Sequence, residues 1–70
     1  SPADDFIWIE NTASNISNKI EIYSLDGKLV YETNFTKKMK INTKEWNTGT
    51  YIALITDVNK SKFTQKLIVK

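Results

Sequence analysis

Seventy residues with ten Lys, eight acids, no Arg, no His and no Cys make a single domain, residues 1–70, near the lower size limit for a core that folds without staples. Without Cys there is no disulfide framework or thiolate metal site, and without His the usual general base, the commonest metal ligand and the His-dependent nucleophile arrangements are gone. A net charge of +2 with the two signs interspersed gives no broad basic field and, lacking Arg, no forked phosphate recognition, so no nucleic-acid partner is expected.

No apolar run approaches the ~20 residues that span a bilayer as a helix. The chain opens on Ser and carries no signal peptide, so it reads as a piece of a longer precursor whose targeting segment lies elsewhere.

Helical periodicity is absent, and alternation with short β-branched runs recurs throughout. Residues 5–10 (D-F-I-W-I-E) predict a first strand with Ile7 and Ile9 on one face and Phe6 and Trp8 on the other. Residues 11–17 are polar and turn-like. Residues 18–24 (N-K-I-E-I-Y-S) alternate, sending Ile20 and Ile22 one way and Glu21 and Tyr23 the other. Leu25-Asp26-Gly27 predicts a tight hairpin loop, with Gly27 in the left-handed conformation, and residues 28–33 form the return strand.

Residues 39–42 predict a short edge strand, where Lys37, Lys38 and Lys40 discourage pairing with other chains. Residues 43–48 (T-K-E-W-N-T) form a loop or single helical turn ending at Gly49. The apolar run T-Y-I-A-L-I-T-D, residues 50–57, predicts a central strand. Residues 58–61 turn the chain, and 62–70 (K-F-T-Q-K-L-I-V-K) close it. About six to seven short strands with regular turns imply an all-β antiparallel sandwich.

Four constellations bear on chemistry. Asp4 and Asp5 are adjacent, so on a strand they face opposite ways and do not converge on one substrate atom. Asp4, Asp5, Asp26 and Asp57 could gather at one end to hold calcium, yet no ligand-spaced motif accompanies them. Trp8, Tyr23 and Trp46 could form a stacking platform for sugars, which would make this a carbohydrate-binding or adhesive module; against that, large aromatics usually cover a sheet or plug a sandwich end. Lys37, Lys38, Lys40 and Lys44 form a positive cluster that reads as a solvated edge. Three Asn-x-Ser/Thr triplets, at Asn15, Asn34 and Asn59, match the glycosylation pattern, as chance allows in so Asn-rich a chain. No catalytic site assembles, and no cofactor or metal is expected.

Three segments, with the opening S-P-A-D-D-F-I-W-I, resemble one family. I-E-I-Y-S-L-D-G-K-L-V-Y (20–31), W-N-T-G-T-Y-I-A-L-I (46–55) and T-Q-K-L-I-V-K (64–70) are similar to the first hairpin, the Gly-x-Tyr strand and the basic, apolar last strand of the C-terminal sorting domain of type IX secretion. Ser1 stands where that family usually has Asn, Trp46 where it has Leu, and Ala53 where Val is commoner.

The resemblance implies an immunoglobulin-like sandwich with no chemistry of its own. It would direct an upstream cargo domain of the same chain through the periplasm and across the outer membrane to the cell surface or the medium. The implied partners are the type IX translocon, its outer-membrane shuttle protein and a sortase-like surface peptidase, with a homodimer through strand edges as a further expectation. Lys66, Leu67, Ile68, Val69 and Lys70 are the expected recognition residues; alternation buries Leu67 and Val69 and turns Lys66, Ile68 and Lys70 outward. Pro2 suits strand entry because it cannot donate to a ladder. Asp26, Gly27 and Gly49 shape turns, and Tyr51 is expected to bury its ring while its hydroxyl finds a partner at the sheet end.

Overall fold

The structure is a computed structural model that describes residues 5–11 and 16–70. The expectations for Pro2, Asp4 and the triplet at Asn15 therefore fall wholly or partly outside the described residues. The described residues form six strands: β1 (Phe6–Asn11), β2 (Asn18–Ser24), β3 (Leu29–Phe35), β4 (Lys37–Asn42), β5 (Gly49–Thr56) and β6 (Lys62–Val69). They form a four-stranded sheet in the order β3-β2-β5-β6 and a two-stranded sheet, β1-β4, with every pairing antiparallel. The fold is all β, as the alternation predicts, and compatible with a small immunoglobulin-like sandwich.

Alternation decides what is inside. Ile20 and Ile22 from β2, Tyr51, Ala53 and Ile55 from β5, and Leu67 and Val69 from β6 are buried against Ile9 of β1 and Ile41 of β4. Fully burying one such Ile stabilises the fold by roughly 1.5–3 kcal/mol, so the three Ile at 0 % exposure, Ile9, Ile20 and Ile22, anchor both sheets. The apolar run of β5 has its expected central place, with β2 on one side and β6 on the other.

β3 and β4 are each two residues longer, at the end where they meet, than the sequence suggests. Phe35 ends one and Lys37 begins the next, so the chain changes sheets with almost no loop. Lys38 N donates to Thr36 O at 2.8 Å, and Lys37 between them has a φ of 65°. This is a γ-turn with its central residue at positive φ, a rare and strained conformation for a residue with a Cβ. The Lys-rich stretch thus forms both the corner and the edge strand it was expected to guard.

The corner also has a buried polar tie. Asn18 is 0 % exposed; its Oδ1 accepts from Asn11 Nδ2 at 3.0 Å, and its Nδ2 donates to the Phe35 and Ile16 carbonyls, each at 3.4 Å. One amide thereby joins the end of β1, the start of β2 and the end of β3. Nothing in the sequence marks this Asn among so many.

Candidate recognition strand

Tyr51 organises the end of the sandwich where β5 begins. Its hydroxyl donates to the Asn47 carbonyl at 2.6 Å, tying β5 to the loop that leads into it, as a Tyr corner does in immunoglobulin-like sandwiches. Trp46 closes that end: its ring lies 5.1 Å from Tyr51 and 6.0 Å from Tyr31, centroid to centroid. Gly49, between the loop and Tyr51, has a φ of 155°, a value side-chain-bearing residues rarely adopt. The W-N-T-G-T-Y stretch is thus one device that ends a loop, turns the backbone and seats the Tyr.

That device holds the last strand. Gly49 pairs with Val69 and Tyr51 with Leu67, so the Gly-x-Tyr stretch and the K-L-I-V stretch are cross-strand partners. Leu67 and Val69 are each 3 % exposed, whereas Ile68 is 59 % exposed, and Lys66 and Lys70 are exposed. Thr50 lies opposite Ile68 and Ile52 opposite Lys66, so the outward residues of β6 continue a half-buried surface of β5 and β2 that includes Tyr23 and Leu54. β6 is the last strand of its sheet, so one row of its backbone groups is left open, a template for an added strand. Phe63 and Gln65 share the register of Leu67 and Val69 yet are exposed; the smaller sheet does not cover that half of β6.

Asp26 and Gly27 lie in the loop that joins β2 to β3. Gly27 has a φ of 86°, and Ser24 Oγ donates to Asp26 Oδ1 and to the Lys28 carbonyl. The Ser24 hydroxyl holds the Asp26 carboxyl below its ordinary range, helped by backbone N–H groups and Lys28. On the outer face of the large sheet, Glu21 lies directly opposite Glu32. Lys19 offsets that repulsion, its Nζ being 3.9 Å from Glu21 and 3.5 Å from Glu32. Tyr23 donates to Glu21; desolvation, then that hydrogen bond and the carboxylate's charge, raise the phenol above its usual range.

The other constellations do not assemble. Among the described residues no group of three or more carboxylates is placed to hold a metal, and Asp26 and Asp57 belong to different hairpin turns. Trp8, Tyr23 and Trp46 lie in three places: Trp8 on the outer face of the small sheet, Tyr23 on the outer face of the large one, and Trp46 packed against the core. The three make no common sugar platform, because β1 and β2 belong to different sheets and Trp46 turns inward.

No curated protein and no solved structure matches the chain. A family model described as secretion system C-terminal sorting domain matches residues 1–70, the whole chain, although each of its segments is short and unremarkable alone. The matched span includes the hairpin, the Gly-x-Tyr device and the last strand, and the chain belongs to that family, the type IX C-terminal sorting domains, as a secretion sorting signal.

Proposed function

We propose that the type IX machinery reads the outward face and open edge of β6, and that the rest of the domain exists to present them. The observation that supports this is the split within one short stretch: Leu67 and Val69 are locked in the core while Ile68 is 59 % exposed between the exposed Lys66 and Lys70. A partner gains main-chain hydrogen bonds by adding a strand at such an edge and specificity from the alternate side chains. The outer-membrane shuttle and the translocon are the partners for that face. The cargo lies upstream in the same chain, and a surface peptidase then removes the domain, leaving cargo released or anchored at the cell surface. The domain is the peptidase's substrate and performs no catalysis itself.

The test is a reporter fused upstream of this domain in a type IX host. Deleting 66–70 should strand the reporter in the periplasm, and Lys66→Glu with Ile68→Asp should do so while the purified domain keeps its melting temperature. Normal export of the outward-face double variant would overturn the reading, because that variant leaves Leu67 and Val69 in place.

A further inference from the structure

The outer face of the small sheet carries an arrangement that the reading of β6 leaves out. Phe6 and Trp8 of β1 lie edge to face, with centroids 6.3 Å apart. Their neighbours across the strand pair are Asn42 and Lys40. Lys40 Nζ sits 4.2 Å from the Phe6 centroid and 6.0 Å from that of Trp8, and Lys38 Nζ lies 5.2 Å from the Trp8 ring. Trp8 is still 49 % exposed. Beside Phe6 opens a pocket of about 330 Å³ lined by Asp5, Phe6, Lys40, Asn42 and Lys44.

Each part fits one ligand chemistry. The exposed Trp8 ring offers an apolar face on which a pyranose can stack, and the half-buried Phe6 lines the pocket beside it. Lys40 and Lys44 bring two cations to the pocket, and neither makes an ion pair among the described residues. The ring beneath Lys40 holds its ammonium in place through the cation–π contact, so less side-chain freedom is lost when an anion arrives. Asp5 on the same pocket repels a bare anion but accepts hydrogen bonds from hydroxyls, and Asn42 supplies an amide. Glu10, opposite Lys38 at the far end of the strand pair, directs negative charge back to the Lys40 end. Stacking surface, paired cations and hydroxyl acceptors together select a sugar that bears an acidic group.

We infer that the Phe6–Trp8 face and its pocket bind an acidic saccharide of two or more rings, one ring seated against Phe6 with its carboxylate or phosphate at Lys40 and Lys44, the next stacking on Trp8. The inference stands apart from the reading of β6, since it concerns the other sheet. The same chemistry is found in a free oligosaccharide and in the sugar headgroup of a glycolipid.

The test is a nuclear magnetic resonance titration of the folded domain, following the two Trp indole N–H signals. Trigalacturonate should move the Trp8 signal and leave that of Trp46, which is packed inside, in place. Trp8→Ala should weaken binding at least tenfold by calorimetry, as should Lys40→Gln with Lys44→Gln, a pair that keeps both rings. Vesicles carrying an acidic glycolipid compete with trigalacturonate if the headgroup is a source, and fail to compete if only free glycans bind; either result fits the site. An unmoved Trp8 signal overturns the inference. So does equal binding of the methyl-esterified trisaccharide, which would make the face a neutral platform, and so does binding to phosphatidylglycerol vesicles without any to trigalacturonate, which would make it a membrane-surface patch.

Discussion

The turn between β2 and β3 and the turn between β5 and β6 share a hydrogen-bond skeleton but fill it with different residues. In the first, Gly27 N donates to Ser24 O at 3.0 Å and Ser24 N to Lys28 O at 2.9 Å; in the second, Lys60 N donates to Asp57 O and Asp57 N to Ser61 O, both at 3.0 Å. Both are three-residue loops in which a turn is followed by one residue in the left-handed region. That residue is Gly27, φ 86°, in one and Lys60, φ 69°, in the other. The side-chain support is reversed to match. Asp57 Oδ1 accepts from the backbone of Asn59 at 2.9 Å and of Ser61 at 3.0 Å, whereas the first turn spends Ser24 on Asp26 and Lys28. Gly makes the geometry nearly free, while the Lys turn needs an Asp to hold its backbone. The turn that delivers β6 is therefore the one that depends on a side chain.

Gly27→Val is the strongest way to break this comparison. A β-branched residue at φ 86° should cost about 2 kcal/mol, from the left-handed penalty and the stiffness of Val together. In a domain of this size that lowers the melting temperature by roughly 10 °C. No heavy atom lies within 4 Å of the added Cβ position, so the loss is conformational rather than steric. An unchanged melting temperature would show that the backbone relaxes to another turn and that Gly27 is not needed for this one.

Asp57→Ala removes the acceptor of two backbone N–H groups, and should cost about 1 kcal/mol because water can partly replace it at an exposed turn. Ser24→Ala should cost less, since the Gly turn does not depend on its side chain. Denaturant melts of the two variants check the order. If Ser24→Ala proved the costlier, the assignment of support between the turns would be reversed.

Much of this architecture follows from alternation alone. Ile20 and Ile22, or Leu67 and Val69, can go inside only if every second residue faces the core, and Asp26-Gly27 marks its turn because Gly tolerates positive φ. Lys60 and Lys37 carry no such mark, since tertiary pairing forces a Lys into the left-handed region and local preference says nothing of it. Asn18 is equally silent: its burial depends on Asn11 and Phe35, one on a strand of the other sheet. The last strand's inward and outward faces were legible from period two. That Gly49 and Tyr51 sit opposite Val69 and Leu67 was not, because pairing register is a property of two segments. The aromatic–Lys face needed the pairing of β1 with β4 for the same reason; alternation put Phe6 and Trp8 on one face, as found, but the stacking platform with Tyr23 and Trp46 does not form.

Lys60→Gly sharpens the comparison from the other side. It should relieve ~1–2 kcal/mol of left-handed strain and lose ~0.5–1 kcal/mol to the greater freedom of Gly in the unfolded chain. The expected net gain is about 0.5 kcal/mol, visible as a small rise in denaturant midpoint. In the Asp57→Ala background the gain should persist, because strain and hydrogen bonding are separate costs; loss of the gain there would mean that Asp57 itself imposes the left-handed conformation.

The smallest expected effect is a pH dependence confined to the first turn. Asp26 is held below its ordinary value of 3.8, chiefly by the Ser24 hydroxyl. A carboxyl whose folded value is depressed releases its proton more readily in the folded chain, so the unfolded chain binds more protons in between. Its contribution is complete above about 3.8 and is lost as pH falls through the lower, folded value. The stability gap between the parent domain and Asp26→Asn should therefore be constant near neutrality and narrow below pH 3.8, read as converging denaturant midpoints. Salt should trim only the small part of the gap that comes from the Lys28 charge, because the Ser24 hydroxyl is neutral. A gap that held its size in acid would assign the effect of the substitution to turn geometry, which Asn and Asp share, and would leave the Ser24–Asp26 contact without a role in stability.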